Sequence, residues 1–421
     1  MPLSFWSNHG NAVAMSRHKE ILPSEATGWR RPIVMLILMA VAMQISFAVW
    51  SNLLNNFTIE RAGFTGEEIG WLQSIREIPG FLAFAAVFVI IYLREQTFAL
   101  VSLALLGVGT ALTGFFPSEI GLYCTTFLMS VGFHYYETMN QSLALQWLPK
   151  GQAPRELGKV LSAASFATIA AFTMVWVCSQ VFMLDYVPIY ILGGGITIAI
   201  TAFLWLTFPK FKEEVPQRKK LFMRQRYWLY YALTFMSGAR RQIFIVFAGF
   251  MMVEKFGFSV ASISLLFIAN AAFNMVFAPK IGGLIVKWGE RRALIFEYIG
   301  LIGVFTTYAF VETPWIAAAL YLIDHAFFAL AIAIKTYFQK IADPADIAPT
   351  AGVAFSINHV AAVGLPVVLG YVWIHSHSAV FLVGATLAFT SLVLSFMVPR
   401  HPEPGREVIW KARGHATQPA E

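Results

Sequence analysis

The sequence predicts an all-α polytopic membrane protein, with twelve transmembrane helices arranged as two pseudo-symmetric six-helix bundles. Three observations predict it. Of 421 residues, 58% are hydrophobic and only 13% charged, and the mean hydropathy is +0.65; soluble chains carry about a quarter charged residues and need them for their surfaces. Apolar runs long enough to cross a bilayer core of ~30 Å recur along the chain. A short loop sequence also returns after 194 residues, halfway through those runs. The two cysteines, Cys124 and Cys178, both lie inside apolar runs and form no CxxC pair, which excludes a disulfide-stapled domain and a cysteine zinc module.

Taken in order, residues 1–31 form a polar tail expected on the cytoplasmic side. Six apolar runs follow within residues 32–208: 32–57, 68–93, 96–116, 120–148, 157–183 and 187–208. No small-residue cleavage site follows the first, so it is expected to be a retained helix rather than a signal peptide. A basic linker, 209–226, leads to six more within residues 227–398: 227–253, 259–287, 292–311, 314–340, 350–374 and 379–397. Residues 399–421 form a second cytoplasmic tail. The runs are continuous rather than alternating, which argues for helices against an outer-membrane barrel.

The formal charge of +7 sorts by position. With the N-terminus in the cytoplasm, the inner tails and loops collect Arg17, Lys19, Arg30, Arg31, Arg94, Lys150, Arg155 and Lys159. The linker adds Lys210, Lys212, Arg218, Lys219, Lys220, Arg224 and Arg226. Lys280, Lys287, Arg291, Arg292, Lys340, Arg400, Arg406, Lys411 and Arg413 follow. The outer loops hold only Arg61 and Lys255 among seven acids. That asymmetry obeys the positive-inside rule and puts both termini in the cytoplasm, in a cell membrane, with a bacterial inner membrane the expected setting. The basic stretch 217–226 is thus a topology signal, and no nucleic-acid partner is expected.

The internal repeat lies in the loop after run 1, Ile59-Glu60-Arg61-Ala62-Gly63-Phe64-Thr65. It matches the loop after run 7, Val253-Glu254-Lys255-Phe256-Gly257-Phe258-Ser259. The same offset places Gly158 and Ser162 on Gly352 and Ser356. Two parallel six-helix halves joined by an inner linker are the architecture of a secondary transporter with a cleft between the halves.

With these features the chain resembles the major facilitator superfamily over residues 30–397. That family's inner-loop signature, Gly-x-x-x-Asp-Arg-x-Gly-Arg-Arg, is matched between runs 8 and 9 by Gly282, Lys287, Gly289, Arg291 and Arg292, the expected gating motif. Its acidic position is Val286, and the copy between runs 2 and 3 is reduced to Leu93-Arg94-Glu95-Gln96. The resemblance implies alternating access and a central cavity lined by helices 1, 4, 7 and 10.

Ionisable side chains at bilayer depth cost roughly 2.5–3.5 kcal/mol each on insertion scales and so mark function by default. Run 2 carries Arg76 and Glu77. Run 4 carries His134, Glu137 and Gln141 on one helical stripe, with Tyr136 and Asn140 beside it. Run 7 carries Arg240 and Arg241, about 100° apart, just after a kink expected at Ser237-Gly238. Run 10 carries Asp324, His325 and Lys335, run 11 carries Asn358 and His359, and run 1 carries Gln44, Asn52 and Asn55. Glu137, His134 and Asp324 are the expected proton-coupling groups. Arg240, Arg241, Arg76, Gln44, Asn52, Asn55, Tyr136, Asn140 and Gln141 are the expected substrate contacts. Each has a structural alternative: Arg76 with Glu77 as a helix-pairing bridge, His359 as a packing histidine, Lys335 as a side chain reaching the inner surface. His375 and His377 lack the carboxylates or thiols of a metal site, and no metal is expected. Gly193-Gly194-Gly195 lacks the following Lys and hydroxyl residue of a phosphate loop and reads as close helix packing.

No nucleotide motif, no enzyme constellation and no cofactor signature is present. The expectation is therefore a non-enzymatic, monomeric secondary active transporter for a small polar or anionic solute, driven by protons. Four intramembrane bases against three acids (Glu77, Glu137, Asp324) tilt the reading toward an anion. A hydrophobic-cation or drug exporter is the runner-up, and a non-transporting receptor or assembly factor on the same fold stays open.

Overall fold

A run of twenty apolar residues in a bilayer leaves the backbone no water to bond to, so each run must satisfy its own hydrogen bonds as helix. The computed structural model describes residues 20–90, 92–148, 153–212, 223–343 and 346–410. Arg17, Lys19, Lys150, Arg218, Lys219, Lys220, Lys411 and Arg413 of the basic inventory, and most of the linker, lie outside these residues. The first half runs α1 (Pro32–Ala62), α2 (Gly66–Phe81), a short α3 (Ala86–Val89), α4 (Glu95–Thr113), α5 (Glu119–Trp147), α6 (Ala153–Gln180) and α7 (Tyr186–Thr207). The second runs α8 (Trp228–Ile243), a π-helical turn (Phe244–Ala248), α9 (Gly249–Glu254), α10 (Val260–Trp288), α11 (Glu290–Ala309), α12 (Pro314–Phe328), α13 (Ile332–Ile341), α14 (Ile347–His375) and α15 (His377–Phe396).

Among the described residues nine helices are long and apolar enough to cross a membrane. The expected runs 68–93, 120–148 and 227–253 are the three that fall short. They are also three that carry intramembrane charge: Arg76 and Glu77, His134 and Glu137, Arg240 and Arg241. Helix α5 is 29 residues long, so its shortfall is one of polarity rather than length.

The repeat has a structural form. Shifted by 194, every long first-half helix begins within three residues of a second-half start: Gly66 falls on Val260 and Ala153 on Ile347. Gly63 and Gly257 both close a helix in the left-handed region, each with φ of +66°. In both caps the glycine N–H donates to the carbonyl four residues back, and the next N–H reaches six back, from Phe64 to Thr58 (3.0 Å) and from Phe258 to Met252 (2.9 Å). Thr65 and Ser259 then cap α2 and α10 with their side-chain oxygens. The conserved spacing is therefore a helix stop joined to a helix start. A second repeated pair ties the other end of each half: Gln146 bonds Glu95 at 2.9 Å, and Lys340, 194 residues on, pairs with Glu290 at 2.7 Å.

Buried apolar side chains form two clusters, one from Met35 to Phe211 and one from Tyr227 to Val398, with Ile69 of α2 reaching into the second. At the end of the bundle bearing Gly63 and Gly257 the halves are in close contact. A Cβ on Gly70 would lie 2.4 Å from the Pro366 carbonyl oxygen, and one on Gly370 would lie 2.4 Å from that of Gly66. Asn56 Nδ2 donates to the Phe258 carbonyl (2.8 Å) and Ser264 Oγ to Asn52 Oδ1 (2.9 Å), both across the interface. At the opposite end, Glu20–Ile21 pairs in parallel with Lys210–Phe211, and Gln96 holds that segment through the Pro209 carbonyl and Phe211 N–H, both at 2.9 Å. Buried Asp346 gathers Arg224 (2.7 Å), Arg226 (3.6 Å) and the Tyr227 hydroxyl (2.9 Å), fixing where the second half begins.

The kink expected at Ser237-Gly238 is absent. Helix α8 runs unbroken through Gly238, whose missing side chain instead admits Asn358 of α14: a Cβ there would sit 2.3 Å from Asn358 Oδ1. The irregularity lies further on, in the π turn at Phe244–Ala248.

Candidate functional site

Two charged clusters occupy the middle of the bundle. The first lies between the halves. On α2, Arg76 and Glu77 form an ion pair through Arg76 Nη2 and Glu77 Oε1, both largely buried. The other carboxylate oxygen, Oε2, faces His134 Nε2 of α5 at 3.9 Å and His359 Nε2 of α14 at 3.6 Å. The two imidazoles meet edge to face with centroids 5.3 Å apart. Gly80, one turn along α2, makes the room: a Cβ there would lie 2.4 Å from His359 Cδ2 and 2.7 Å from His134 Cδ2.

Hydrogen bonds define the tautomer of both rings. Ser130 Oγ donates to the Arg76 carbonyl, so toward His134 it can only accept. His134 Nδ1 lies 2.9 Å from that hydroxyl and 3.1 Å from the Ser130 carbonyl, two acceptors, and must carry hydrogen. His359 Nδ1 faces the Phe355 carbonyl at 2.8 Å and must do the same. In both rings Nε2 is the nitrogen that faces Glu77.

Around this cluster stand charges with no ion-pair partner among the described residues. Arg241 of α8 lies within electrostatic reach of Glu77, Arg76 and Glu137, deep in the bundle, yet keeps substantial accessible surface. Its guanidinium lies over the face of Phe328, 5.6 Å from the ring centroid. Lys335 of α13 is likewise exposed. Glu137 of α5 is half-buried, and the groups whose fields reach it are His359, Arg241, Glu77 and Lys335. Arg241 and Lys335 on the second half thus lie within electrostatic reach of Glu137 on the first. Aromatic rings surround the two histidines: Phe47 stacks on Phe133 (4.6 Å), Phe133 meets His134 edge-on (5.0 Å), and Phe355 lies against His359 (4.4 Å).

The second cluster belongs to the second half alone. Arg240 is 1% exposed, and its guanidinium bonds Glu297 Oε1 at 2.9 Å and Ser391 Oγ at 3.3 Å, and lies 5.0 Å from the Tyr298 ring centroid. Asp324 feels the same guanidinium. One cation therefore faces two buried acids. Glu297 is the residue that sequence reasoning passed over, although it lies well inside the run 292–311 and carries the same signal as Asp324. With it, intramembrane acids equal bases at four each, so the excess of bases disappears as a count. What the fold shows instead is a separation, with more bases than acids beside Glu137 and more acids than bases around Arg240.

The other expected residues divide by place. Tyr136 is fully buried in the first-half core, its hydroxyl without a partner among the described residues, and Asn140 Oδ1 is likewise unpartnered. Gln44 is half-buried and Gln141 exposed. Asn52 and Asn55 lie at the interface between halves, Asn52 bonded to Ser264 and Asn55 Nδ2 3.0 Å from where a Cβ on Gly249 would stand. Of the gating motif, Lys287 is exposed at the end of α10, Gly289 turns the chain with φ of +79°, and Arg291 and Arg292 start α11. Gly282 lies in α10, with its surroundings outside the description. His377 pairs with Glu254 at 3.5 Å, which also accepts from Trp373 Nε1 at 2.8 Å. Two open grooves of about 600 Å³, one lined by Ile75, Tyr123 and Phe127 and the other by Phe166, Met174 and Leu192, are apolar and touch neither cluster.

Residues 32–366 match the family model described as Major Facilitator Superfamily. No curated protein sequence matches the chain significantly. Solved structures are similar throughout. The nucleoside transporter NupG matches with a TM-score of 0.70 and 15% identity over 86% of this chain and 98% of that one, and a point mutant of NupG matches at 0.73 and 14%, over 87% and 99%. A bacterial homolog of the human lysosomal transporter Spinster, in an inward-facing and occupied conformation, matches at 0.68 and 14%, over 88% and 97%.

Proposed function

The chain belongs to the major facilitator superfamily, and on that premise we propose that it is a secondary active transporter that carries a small anionic solute between its halves, driven by protons. One observation carries the reading: Arg241 and Lys335 hold accessible positive charge with no ion-pair partner among the described residues, and an uncompensated charge at bilayer depth is costly. A solute carboxylate or phosphate bound there supplies the missing counter-charge. Arg76 is occupied by Glu77 and Arg240 by Glu297, which leaves Arg241 as the principal ligand. Glu137, on the opposite wall, carries the coupling proton: neutral, it admits the anion, and ionised, it competes for the same cations. The Arg240 cluster, with one acid more than its guanidinium balances, is the second proton-bearing group.

With the basic loops in the cytoplasm, the end closed by Gly66, Gly70, Pro366 and Gly370 is the outer one. The described state is then closed to the outside, and transport requires those glycine contacts to part. A second reading, an aromatic solute, draws on the rings of Phe47, Phe133 and Phe355 and on a fold neighbour that transports nucleosides. Proteoliposomes test both. An imposed pH gradient should drive uptake of one member of a panel of labelled mono- and dicarboxylates, sugar phosphates and nucleosides, with matching proton movement. Transport of a neutral nucleoside unaffected by Arg241→Ala rejects the anion reading, and no solute-dependent proton movement with any class rejects proton coupling.

A further inference from the structure

We propose that Glu77, His134 and His359 form a binding site for a divalent transition-metal ion, closed across the interface between the two halves. The proposal goes beyond transport and does not depend on it. The three donor atoms lie within 4.8 Å of one another, on side chains that are buried or half-buried. The donor set is two imidazole nitrogens and one carboxylate oxygen, the composition found at three-ligand zinc sites with one position left to water.

Three features make this a built site rather than a chance grouping. Both histidines donate through Nδ1 to backbone carbonyls, Ser130 and Phe355, which is the outer-shell bond that orients a ligating imidazole and frees Nε2. Arg76 occupies Glu77 Oε1 and so aims Oε2 at the two rings. Gly80 keeps the space clear where any Cβ would displace both rings. With neutral imidazoles, three lone-pair acceptors then point at one another with no donor between them, an arrangement that a cation resolves.

The fit needs the cluster to contract, since its donor atoms span up to 4.8 Å. Metal–ligand bonds of about 2.0–2.1 Å in a tetrahedron separate ligand atoms by roughly 3.3 Å, against 3.6 and 3.9 Å between Oε2 and the two nitrogens. Two nitrogen donors select zinc, cobalt, nickel or copper over magnesium and calcium. Since Arg76 already balances Glu77, the ion brings charge that its ligands do not cancel. The site is therefore one that exchanges with free metal. Glu77 and His134 come from one half and His359 from the other, so an ion held by all three favours the conformation that brings them together.

The test uses full-length, detergent-purified protein without a polyhistidine tag, and Co2+ alone as probe, read by visible absorption and equilibrium dialysis. The expected result is saturable binding of one Co2+ per chain with the intense visible bands of a tetrahedral site. Zn2+ should displace it and millimolar Mg2+ should not. His359→Asn and His134→Asn should each weaken binding tenfold or more while keeping the size-exclusion profile of the parent. His375→Asn and His377→Asn, at the far end of the bundle, should bind as the parent does. Absence of saturable binding, binding unchanged in His359→Asn, or loss in His377→Asn instead overturns the proposal.

Discussion

Arg240 and Arg241 are neighbours in sequence, and replacing each with alanine should give opposite phenotypes. Arg240 is 1% exposed and its partner Glu297 0%, joined at 2.9 Å with a further bond to Ser391. Removing one member of a buried pair strands the other charge, at about 3–5 kcal/mol. For a cooperative unit the size of the second half that is a fall of roughly 6–20 °C in Tm. Arg241 makes no ion pair among the described residues, and its truncation removes the stacking on Phe328, about 0.5–2 kcal/mol. Its alanine variant should melt within a few degrees of the parent. It should lose affinity for an anionic solute by roughly ten- to a hundredfold, the value of a charged hydrogen bond of about 1.5–3 kcal/mol. Fluorescence-monitored melting and solute binding on the same preparations give both numbers. The double variant Arg240→Met/Glu297→Met should recover part of the lost Tm, because apolar side chains replace the buried pair while Asp324 alone stays without its cation. Equal melting losses in the two single variants, or no rescue in the double, would refute this division of roles.

Other perturbations address other parts of the bundle. Glu137→Gln should abolish pH-driven transport while leaving counterflow exchange, which needs no net proton movement; unaltered pH-driven transport would remove Glu137 from the mechanism. Gly80→Ala inserts a Cβ 2.4 Å from His359 and 2.7 Å from His134. Both rings can swing away, so transport should fall sharply with a small change in Tm, and parental transport rates would show that the ring positions are immaterial. Gly370→Ala meets the Gly66 carbonyl at 2.4 Å, backbone that cannot step aside. It should shift the population toward conformers parted at this end, seen as faster thiol labelling of a cysteine introduced at Ser264, which is buried against Asn52 across the interface. Unchanged labelling would contradict the gate assigned to those glycines.

Much of the site was legible because a bilayer makes every ionisable residue conspicuous. Arg76, Glu77, His134, Glu137, Arg241 and Asp324 stood out against their apolar surroundings, and the structure places the first three in one cluster with Glu137 and Arg241 around it. Periodicity cannot report which charges satisfy each other. Arg240 and Arg241 look alike in sequence, and only the approach of α11 shows that Glu297 consumes the first. His359 reads as a packing histidine until α14 is seen to cross α2 at Gly80 and bring it to Glu77. The kink expected at Gly238 failed for a related reason: a glycine in a helix can mark a bend or a close neighbour, and here it marks Asn358.

The sequence by itself determined the class of molecule and its doubling. Length of apolar run, distribution of Lys and Arg, and the loop spaced by 194 residues are local quantities, set by the bilayer's thickness and by helix-capping geometry. Tertiary structure alone decided the pairing of charges, since a 3 Å ion pair depends on which helices cross and at what height. It sorted four bases and four acids into a closed cluster around Arg240, a histidine–glutamate cluster with Arg76 between the halves, and Glu137 with Arg241 and Lys335 beside it, which make no ion pair among the described residues. The low dielectric of the interior makes that difference decisive, because the same residue is a strut when paired and a binding site when not.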